Sequence, residues 1–373
     1  MSVPQAAVVV GSGAGALTSA GELALGGVAV TVADAPEFAA NLEPVARRGG
    51  IRLDCDWHGT TLAPIAATSD DPAQAVGGAE LIVVSVPSFA HEIVATTLAP
   101  VLEGGQTLIW VGEGGGAPST VAALRALGNR PDGLRVAETN TLPYRTRVVA
   151  PGTVRAHRKA GGTFVAALPA ADTPAVHTIA AAVWPWVAAA ENVWETVLLN
   201  YNAIDHVPAI ILNFGSVEGR RGPMLLWGEG ATPGVARAIE AVDAELLAIR
   251  VALGLRNRDR YEDLLVAQGM AREVQPTLHE TIHSATLASG VFPAGPGVVE
   301  HRYFAEDIPF ALVLLASIGD EVGVDTPVID ALITLGSTVA GRDFRAVGKT
   351  LASWGLAGKG PAGLQDAADE GWW

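Results

Sequence analysis

The amino-terminal stretch constrains the fold more than any other part of the chain. Four apolar residues, 7–10, lead into the turn Gly11-Ser12-Gly13-Ala14-Gly15-Ala16, and helical periodicity continues to about residue 25. A second apolar run over residues 28–32 ends close to Asp34. A strand, a glycine-rich turn, a helix and a second strand in this order predict a β-α-β unit with its two strands parallel.

The same alternation continues through the first half of the chain. Apolar runs bounded by turns recur with helical periodicity between them, which is typical of a parallel sheet covered by helices. The predicted later strands are 81–86, 107–111, 134–138 and 162–168, and the predicted helices are 91–102 and 173–190. These elements predict an α/β amino-terminal domain over residues 1–190 with a doubly wound parallel sheet, the Rossmann arrangement.

Beyond about residue 190 the pattern changes from short apolar runs to long helical periodicities. The predicted helices cover 194–214, 232–254, 258–270, 307–322 and 326–340. A chain of 373 residues also exceeds what one hydrophobic core usually serves. We therefore predict a second, all-α carboxyl-terminal domain over residues 191–373.

The balance of charges and the cysteine count exclude several classes of function. A net charge of −15 and a pI of about 4.9 disfavour nucleic acid and anionic membranes as partners, because both need clustered positive charge. Cys55 is the single cysteine of the sequence, so an internal disulfide and a multi-cysteine zinc site are excluded. The sequence predicts no bound metal.

The sequence contains no signature of a membrane span or of a secretory leader. A spanning helix needs about 20 uninterrupted apolar residues, and every such window here contains a charge, a proline or a histidine. The amino terminus lacks a basic region, an apolar signal core and a cleavage site. We therefore expect a cytoplasmic protein.

The glycine turn predicts a dinucleotide site. Gly11, Gly13 and Ala16 fit the pattern G-x-G-x-x-G/A, which presents backbone N–H groups to a pyrophosphate at a helix amino terminus. Asp34, at the end of the next strand, can accept both ribose hydroxyls and would repel a 2′-phosphate. NAD is therefore favoured over NADP, and Arg47 and Arg48 are the nearby basic pair that could reverse this preference.

Two segments at the carboxyl ends of later strands extend the predicted site. Pro87 lies where the fourth strand leads into a helix that begins near His91, at the sheet edge that a dinucleotide crosses. His91 either contacts the cofactor or belongs only to the helix end. The fifth strand leads into Gly112-Glu113-Gly114-Gly115-Gly116, which either approaches nicotinamide and substrate or is only a turn.

The helical half offers a candidate acid/base. Asn202 and His206 are four residues apart and share one helix face. Histidine is suited to donate a proton to a carbonyl or imine under reduction, and a carboxylate can stabilise its charged form. Arg302 and Asp307 supply an anchor for a carboxylate and an acid to orient a histidine. Against this, a lone histidine on a helix is more often structural.

These residues resemble those of the opine dehydrogenases, the octopine, nopaline and related enzymes that form secondary amines. The resemblance covers nearly the whole chain. Its segments are the glycine turn, Ala137–Tyr144 followed by Arg147, Asn202–Pro208, Arg302–Pro309, Gly323–Pro327 through Ile333, and Gly348–Leu351. It implies a Rossmann domain and an all-helical domain with the active site between them.

The resemblance also implies roles for individual residues. His206 would be the catalytic acid/base, Asp307 its partner, and Arg302 the anchor of the 2-oxo acid carboxylate. Glu138 and Thr139 would line the substrate cleft, with Glu138 meeting a cationic part of the amino donor. The implied reaction condenses an amino acid or amine with a 2-oxo acid such as pyruvate, and hydride transfer from NADH then reduces the imine.

Two positions depart from the family pattern near the expected substrate. Many members carry Pro-Gly-Arg or a similar polar variant after the fifth strand, whereas this chain has Val111-Gly112-Glu113. Glu113 would either pair with a basic donor or remain a solvated loop residue. Trp227 stands where the family usually has tyrosine. Both changes affect which amino donor the site accepts, and both residues are candidate substrate contacts.

Two alternative functions remain open at this point. Hydroxy-acid and ketopantoate-type dehydrogenases share a two-domain layout, but they rely on a lysine of the helical domain. Lys349 and Lys359 are the lysines of that half, and both are far in sequence from His206. A non-enzymatic dinucleotide sensor is the second alternative. The expected partners are small-molecule substrates, and the oligomeric state is left open, with a homodimer as one expectation.

Overall fold

The computed structural model describes residues 4–158, 161–219, 225–289 and 302–373, which form two compact units. The first unit is drawn from Met1–Lys159, Thr163–Val197 and Ala367–Trp373, and the second from Ala160–Gly162 and Leu198–Asp366. The predicted domains, 1–190 and 191–373, differ from these units in two places. The first unit extends to Val197, and it also includes the carboxyl-terminal residues Ala367–Trp373. The predicted boundary therefore stays a prediction.

Among its described residues, the first unit contains twelve strands in two sheets. They are β1 Ala6–Val10, β2 Ala29–Ala33, β3 Gly50–Cys55, β4 Gly59–Pro64, β5 Ala67–Ser69, β6 Leu81–Val84, β7 Thr107–Trp110, β8 Arg135–Thr139, β9 Tyr144–Ala150, β10 Thr153–Arg158, β11 Thr163–Leu168 and β12 Val187–Ala189.

The larger sheet has eight strands in the order β12-β11-β8-β7-β6-β1-β2-β5. The strands from β5 to β8 are all parallel, and their order reverses between β1 and β6, which is the switch point of a Rossmann sheet. This order confirms the predicted fold class. β11 departs from a purely parallel sheet because it pairs antiparallel with β8, which is common at the edges of such sheets.

A second sheet of four strands, in the order β4-β3-β10-β9, was absent from the sequence-based expectation. It covers the outer side of the first helix, Ala14–Leu25, which packs between the two sheets. The hydroxyls of Thr18 and Thr146 lie 2.7 Å apart across this interface. An added Cβ on Gly21 would lie 2.2 Å from a methyl carbon of Leu53, so the helix approaches the second sheet very closely.

The helices follow the predicted division into an α/β part and a helical part. Those that begin in the first unit are α1 Ala14–Leu25, α2 Ala39–Arg48, α3 Pro72–Ala75, α4 His91–Leu98, α5 Gly116–Ala126, α6 Thr173–Val183 and α7 Val193–Leu198. The later ones are α8 Tyr201–Leu212, α9 Phe214–Gly219, α10 Pro233–Ala252, α11 Tyr261–Ala267, α12 Leu278–Ser289, α13 Arg302–Ala305, α14 Val313–Val322, α15 Pro327–Ala340, α16 Phe344–Val347 and α17 Gly360–Glu370.

The predicted helix 307–322 begins with a wider turn. Residues Asp307–Leu312 form a π-helix before α14, and Pro309 lies inside it. Proline has no backbone N–H to donate, so a regular α-helical hydrogen bond cannot form there. Single π turns within helices are frequent at functional sites, and this one carries Asp307.

The carboxyl-terminal residues pack on the first unit. Arg130 Nη2 donates to the carbonyl of Glu370 at 3.1 Å, and its guanidinium lies 5.5 Å from the Trp372 ring centroid. Arg125 lies 5.4 Å from the Trp373 ring. These contacts are cation–π interactions, and they attach the end of the chain to the unit that also contains its beginning.

The helices of the described ranges are too short or too polar to cross a bilayer.

Candidate functional site

The glycine turn lies between β1 and α1, at the switch point of the larger sheet. Gly11 has φ of +118°, and an added Cβ would lie 2.4 Å from the carbonyl oxygen of Ser85, the residue after β6. Its N–H donates to the carbonyl of Ala33 at 2.8 Å. Only glycine fits this conformation and this close approach. The turn is therefore fixed by the two neighbouring strands.

Gly13 is a glycine for a different reason. It caps α1 in an extended conformation, and an added Cβ would meet no atom within 4 Å. The fold therefore does not require glycine at this position. Open space in front of a helix amino terminus, with unpaired backbone N–H groups directed into it, suits a pyrophosphate. The turn fits the cofactor that the sequence predicts.

The remaining residues of the turn support its shape. An added Cβ on Gly15 would lie 2.6 Å from Ser85 Oγ, so α1 and the end of β6 are in close contact. Ser12 Oγ accepts a hydrogen bond from Asn41 Nδ2 at 3.0 Å. Ala14 and Ala16 lie in the first turn of α1, and Ala16 is fully buried.

Asp34 follows β2, so it lies at the same edge of the sheet as the glycine turn. Its side chain is largely buried, and Oδ1 accepts a hydrogen bond from the N–H of Ala35 at 2.9 Å. The basic pair that could reverse its preference is partly committed elsewhere, because Arg48 Nη1 donates to the carbonyl of Gly152 at 2.8 Å.

Pro87 is exposed three residues after β6, at the carboxyl edge of the larger sheet. His91, by contrast, is buried, and its ring centroid lies 4.9 Å from that of Trp110. The structure therefore favours the second of the two interpretations of His91, in which it belongs to the packed start of α4.

Glu138 lies on β8, next to the loop that follows β7, and it is fully buried. Its Oε2 accepts hydrogen bonds from the N–H groups of Gly115 at 2.8 Å and Ala117 at 3.0 Å. Its Oε1 accepts from Thr196 Oγ1 at 2.8 Å. Glu138 therefore fastens the glycine loop and the start of α5.

Glu138 and Thr139 were both expected to line the substrate cleft, and that expectation stays a prediction. In this structure both oxygens of the Glu138 carboxylate are bonded to protein groups. Thr139 is likewise fully buried. Its Oγ1 donates to the carbonyl of Thr141 at 2.9 Å and accepts from the N–H of Gly112 at 3.2 Å. Both residues shape the loop that carries Glu113, which is 8% exposed.

In the second unit, the structure brings His206 and Asp307 together. His206 Nδ1 lies 2.9 Å from Asp307 Oδ2, a distance that fits a strong hydrogen bond. Asp307 is fully buried, whereas the His206 side chain is 14% exposed. A buried carboxylate on Nδ1 fixes the orientation of the ring and stabilises its protonated form. The other ring nitrogen, Nε2, can then exchange a proton.

The helix that carries His206 is built to present one face. The Asn200 side chain caps α8 by accepting from the N–H of Asn202 at 3.2 Å. Asn202 and His206 are partly exposed, while Ile204 and Val207 between and beside them are buried. The i, i+4 pair predicted from the sequence therefore lies on the accessible side of the helix.

Two aromatic rings surround the imidazole. Tyr303 stacks on His206 with centroids 3.8 Å apart, and Trp227 lies 6.4 Å away at an angle of 36°. Both aromatic side chains are largely buried. Tyr303 was not among the predicted site residues, although its position four residues before Asp307 is a signal that could have identified it. The rings restrict access to the histidine.

Arg302 is the first residue of α13, the short helix that precedes the π-helix with Asp307. Its side chain is 52% exposed, and its Nε lies 3.1 Å from Oε2 of the buried Glu306, one helical turn later. The guanidinium has two further nitrogens on its outer edge, and this planar edge is the part that binds carboxylates bidentately. Glu306 orients the arginine, a role that the sequence did not predict.

A further carboxylate lies beside His206. Asp205 Oδ1 is 3.8 Å from His206 Nε2, and Asp205 Oδ2 accepts a hydrogen bond from Tyr261 Oη at 2.5 Å. Burial raises the pKa of Asp205 to about 6, against the opposing effects of the His206 charge and the Tyr261 hydrogen bond. No local pattern links residues 205 and 261, so the sequence could not predict this pair.

Lys349 is buried, with Nζ 5.8 Å from the centroid of the Trp354 ring. Within the described ranges, no group of three or more histidine, cysteine, aspartate or glutamate side chains could hold a metal ion.

Comparison with known proteins agrees with the family resemblance of the sequence, and the agreement extends along nearly the whole chain. A family model described as the alpha-helical domain of NAD/NADP octopine/nopaline dehydrogenase matches residues 189–340. An opine dehydrogenase from Arthrobacter sp. (strain 1C) is 33% identical over 362 residues, covering 97% of this chain and 98% of the relative.

Solved structures resemble the fold over its full length. An octopine dehydrogenase in complex with NADH and agmatine superposes with a TM-score of 0.79 at 18% identity, covering 98% of each chain. An octopine dehydrogenase structure with NADH and pyruvate gives a TM-score of 0.73 at 19% identity, covering 95% of this chain and 96% of that one.

Proposed function

Since the chain belongs to the opine dehydrogenase family and is an NAD(P)-dependent oxidoreductase, we propose that it joins an amino acid or amine to a 2-oxo acid. The family resemblance predicted from the sequence is thereby confirmed. In the proposed reaction the amine condenses with the carbonyl, water leaves, and reduction of the imine gives a secondary amine. The observation that carries this proposal is the pairing of His206 with the buried Asp307 at 2.9 Å.

His206 is the proposed acid/base of this reaction. Asp307 holds Nδ1 as a donor, so proton exchange with the substrate takes place at Nε2. The protonated ring can give its proton to the departing carbonyl oxygen, and the fully buried Asp307 carboxylate stabilises that charged form. Tyr303, stacked on the ring, keeps the imidazole in one plane.

The glycine turn is the proposed pyrophosphate site, and NAD is the proposed cofactor. The backbone of Gly11–Ala16 binds the pyrophosphate, Asp34 binds the ribose hydroxyls, and Pro87 lies along the same edge. When bound, the reduced nicotinamide supplies the hydride to the imine carbon. The carboxylate of Asp34 disfavours a cofactor that carries a 2′-phosphate.

Arg302 is the proposed anchor of the oxo-acid carboxylate, and Asn202, Trp227 and Glu113 are proposed contacts of the substrates. The solved relatives named with NADH, pyruvate and agmatine support an oxo acid such as pyruvate and a donor with an amino group. Small molecules are thus the proposed partners. The cytoplasmic location and the homodimer remain predictions.

The proposed function is tested with a panel of amino acids and amines, each combined with pyruvate or glyoxylate. NADH oxidation is expected only when both substrates are present, and the product mass should equal that of the reduced condensation product. Oxidation of NADH with the oxo acid alone would instead indicate a hydroxy-acid dehydrogenase. A parallel series with NADPH should be slower, because Asp34 repels the 2′-phosphate; faster NADPH oxidation would contradict the cofactor assignment.

Replacing Arg302 with alanine is expected to raise the apparent KM for the oxo acid by roughly 10–100-fold. This range corresponds to hydrogen bonds to a charged group, worth about 1.5–3 kcal/mol. NADH affinity should change little. Steady-state kinetics at varied oxo acid measure the effect, with Arg345→Ala as a control that removes a surface arginine of the same unit. An unchanged KM would remove Arg302 from the substrate site.

A further inference from the structure

The second carboxylate beside His206 has no part in the His206–Asp307 pair. Asp205 lies on α8 next to the histidine in sequence, and its Oδ1 is 3.8 Å from Nε2. Nε2 is the nitrogen on the opposite side of the ring from the one that faces Asp307. The imidazole therefore lies between two carboxylates, one at each nitrogen.

The distance decides how Asp205 can act on the ring. At 3.8 Å the oxygen is too far from Nε2 for a hydrogen bond, but an opposite charge within about 4–6 Å still favours the charged form of a titrating group. Asp205 is 8% exposed, so bulk water screens this interaction weakly. Its Oδ1 has no hydrogen-bond partner among the described residues. Asp205 therefore acts on His206 through its charge.

Tyr261 holds the other oxygen of Asp205. The tyrosine is the first residue of α11, and its hydroxyl donates to Asp205 Oδ2 at 2.5 Å. Burial and the charge of Asp205 raise the pKa of Tyr261 well above its ordinary value, so the hydroxyl keeps its proton and remains a donor. The N–H of Tyr261 in turn donates to Asp243 Oδ2 at 3.3 Å. The position of Asp205 is thus fixed from α11.

The charge of Asp205 changes with pH near pH 6. Burial raises its pKa to about 6, while the His206 charge and the Tyr261 hydrogen bond lower it and the nearby Asp307 raises it. Above about pH 6 the carboxylate is therefore mostly ionised.

Several charged groups of the surrounding helices are paired with one another in the described part of the chain. They are Asp243 with Arg260 and Arg250, and Arg302 with Glu306. Asp205 is the carboxylate whose oxygen lies 3.8 Å from His206 Nε2.

We propose that Asp205, anchored by Tyr261, is a positioning residue that keeps His206 protonated at neutral pH and so maintains it as an acid. The proposal rests on the proposed function of His206. The ionised Asp205 delays the loss of the His206 proton to higher pH. Below about pH 6 Asp205 becomes neutral, and this effect is lost.

The test is the titration of the His206 ring, followed by NMR in the full chain. The His206 signals are assigned by their loss in His206→Gln. In Asp205→Asn, which preserves the shape of the side chain, the midpoint should move to lower pH by about one unit. The basic limb of kcat/KM against pH should move in the same direction. A purely structural role of Asp205 would leave both midpoints in place.

Two further variants sharpen the result. Asp330→Asn removes a surface carboxylate of the same unit and should leave the His206 midpoint unchanged. Tyr261→Phe removes the hydrogen bond that favours ionised Asp205, so the midpoint should move to lower pH by a smaller amount. If Asp205→Asn does not fold, Tyr261→Phe carries the test.

An unmoved His206 midpoint in these two variants would overturn the inference, whatever their activity. Failure of the proposed function would look different. The midpoint would still move in Asp205→Asn, but the substrate panel would give no amine-dependent product.

Discussion

Replacing His206 with alanine is expected to lower turnover by roughly 10²–10⁴-fold, the usual loss when a general acid is removed. The effect should fall on kcat, because the histidine exchanges a proton during the reaction. NADH affinity should be nearly unchanged, since the glycine turn that is proposed to bind the pyrophosphate belongs to the other unit of the chain. Stopped-flow and steady-state absorbance at saturating substrates measure the change.

The matched control for this prediction is His279→Ala. His279 lies on α12 of the same unit, is partly exposed, and takes no part in the proposed site. Its removal should leave turnover near the wild-type value. If His206→Ala retained full turnover, the histidine would be structural, and the proposed acid/base role would have to be abandoned.

Replacing Gly13 with alanine is expected to weaken NADH binding by roughly 10–100-fold, or about 1.4–2.8 kcal/mol. The added methyl group meets no protein atom within 4 Å, and the extended backbone at Gly13 accepts any residue. The methyl group would occupy the space through which the pyrophosphate approaches the helix amino terminus. The melting temperature without cofactor should therefore stay the same, while the dissociation constant rises.

Gly11→Ala provides the contrasting control. Its added Cβ would lie 2.4 Å from the Ser85 carbonyl oxygen, at a φ of +118°. This substitution should lower the melting temperature even without cofactor, because the clash is with the protein itself. Calorimetry and fluorescence titration distinguish the two variants. Wild-type NADH affinity in Gly13→Ala would show that the pyrophosphate binds elsewhere.

The parts of the fold that local sequence encodes were predictable. The glycine turn and the apolar periodicity predicted a helix from about Ala14 to Leu25, and α1 has those bounds. The second sheet was not predictable in this way. β3 and β10 pair in parallel, with Arg52 opposite Thr153, although about a hundred residues separate them. Their strands also carry charged residues on the exposed face, which weakens the apolar signal.

The candidate site was predictable to a similar degree. His206 and Asp307 were identified from helix spacing and family resemblance, and the structure brings them within hydrogen-bonding distance. The contacts of Glu138 with the glycine loop were not predictable, because a carboxylate near the end of a strand has the same sequence pattern whether it faces a ligand or fastens a loop. Burial and partners distinguish the two cases, and they depend on tertiary structure. The Asp205–Tyr261 contact has the same limitation.

The return of the chain end to the first unit affects how this protein can be dissected. A fragment cut after residue 197 would contain the complete larger sheet but lack Ala367–Trp373. Arg125 and Arg130 would then lose Trp373 and Trp372 as ring partners. An excised nucleotide-binding fragment therefore needs the tail supplied as a separate peptide or grafted by circular permutation. For the same reason, an affinity tag is better placed at the amino terminus than beside these tryptophans.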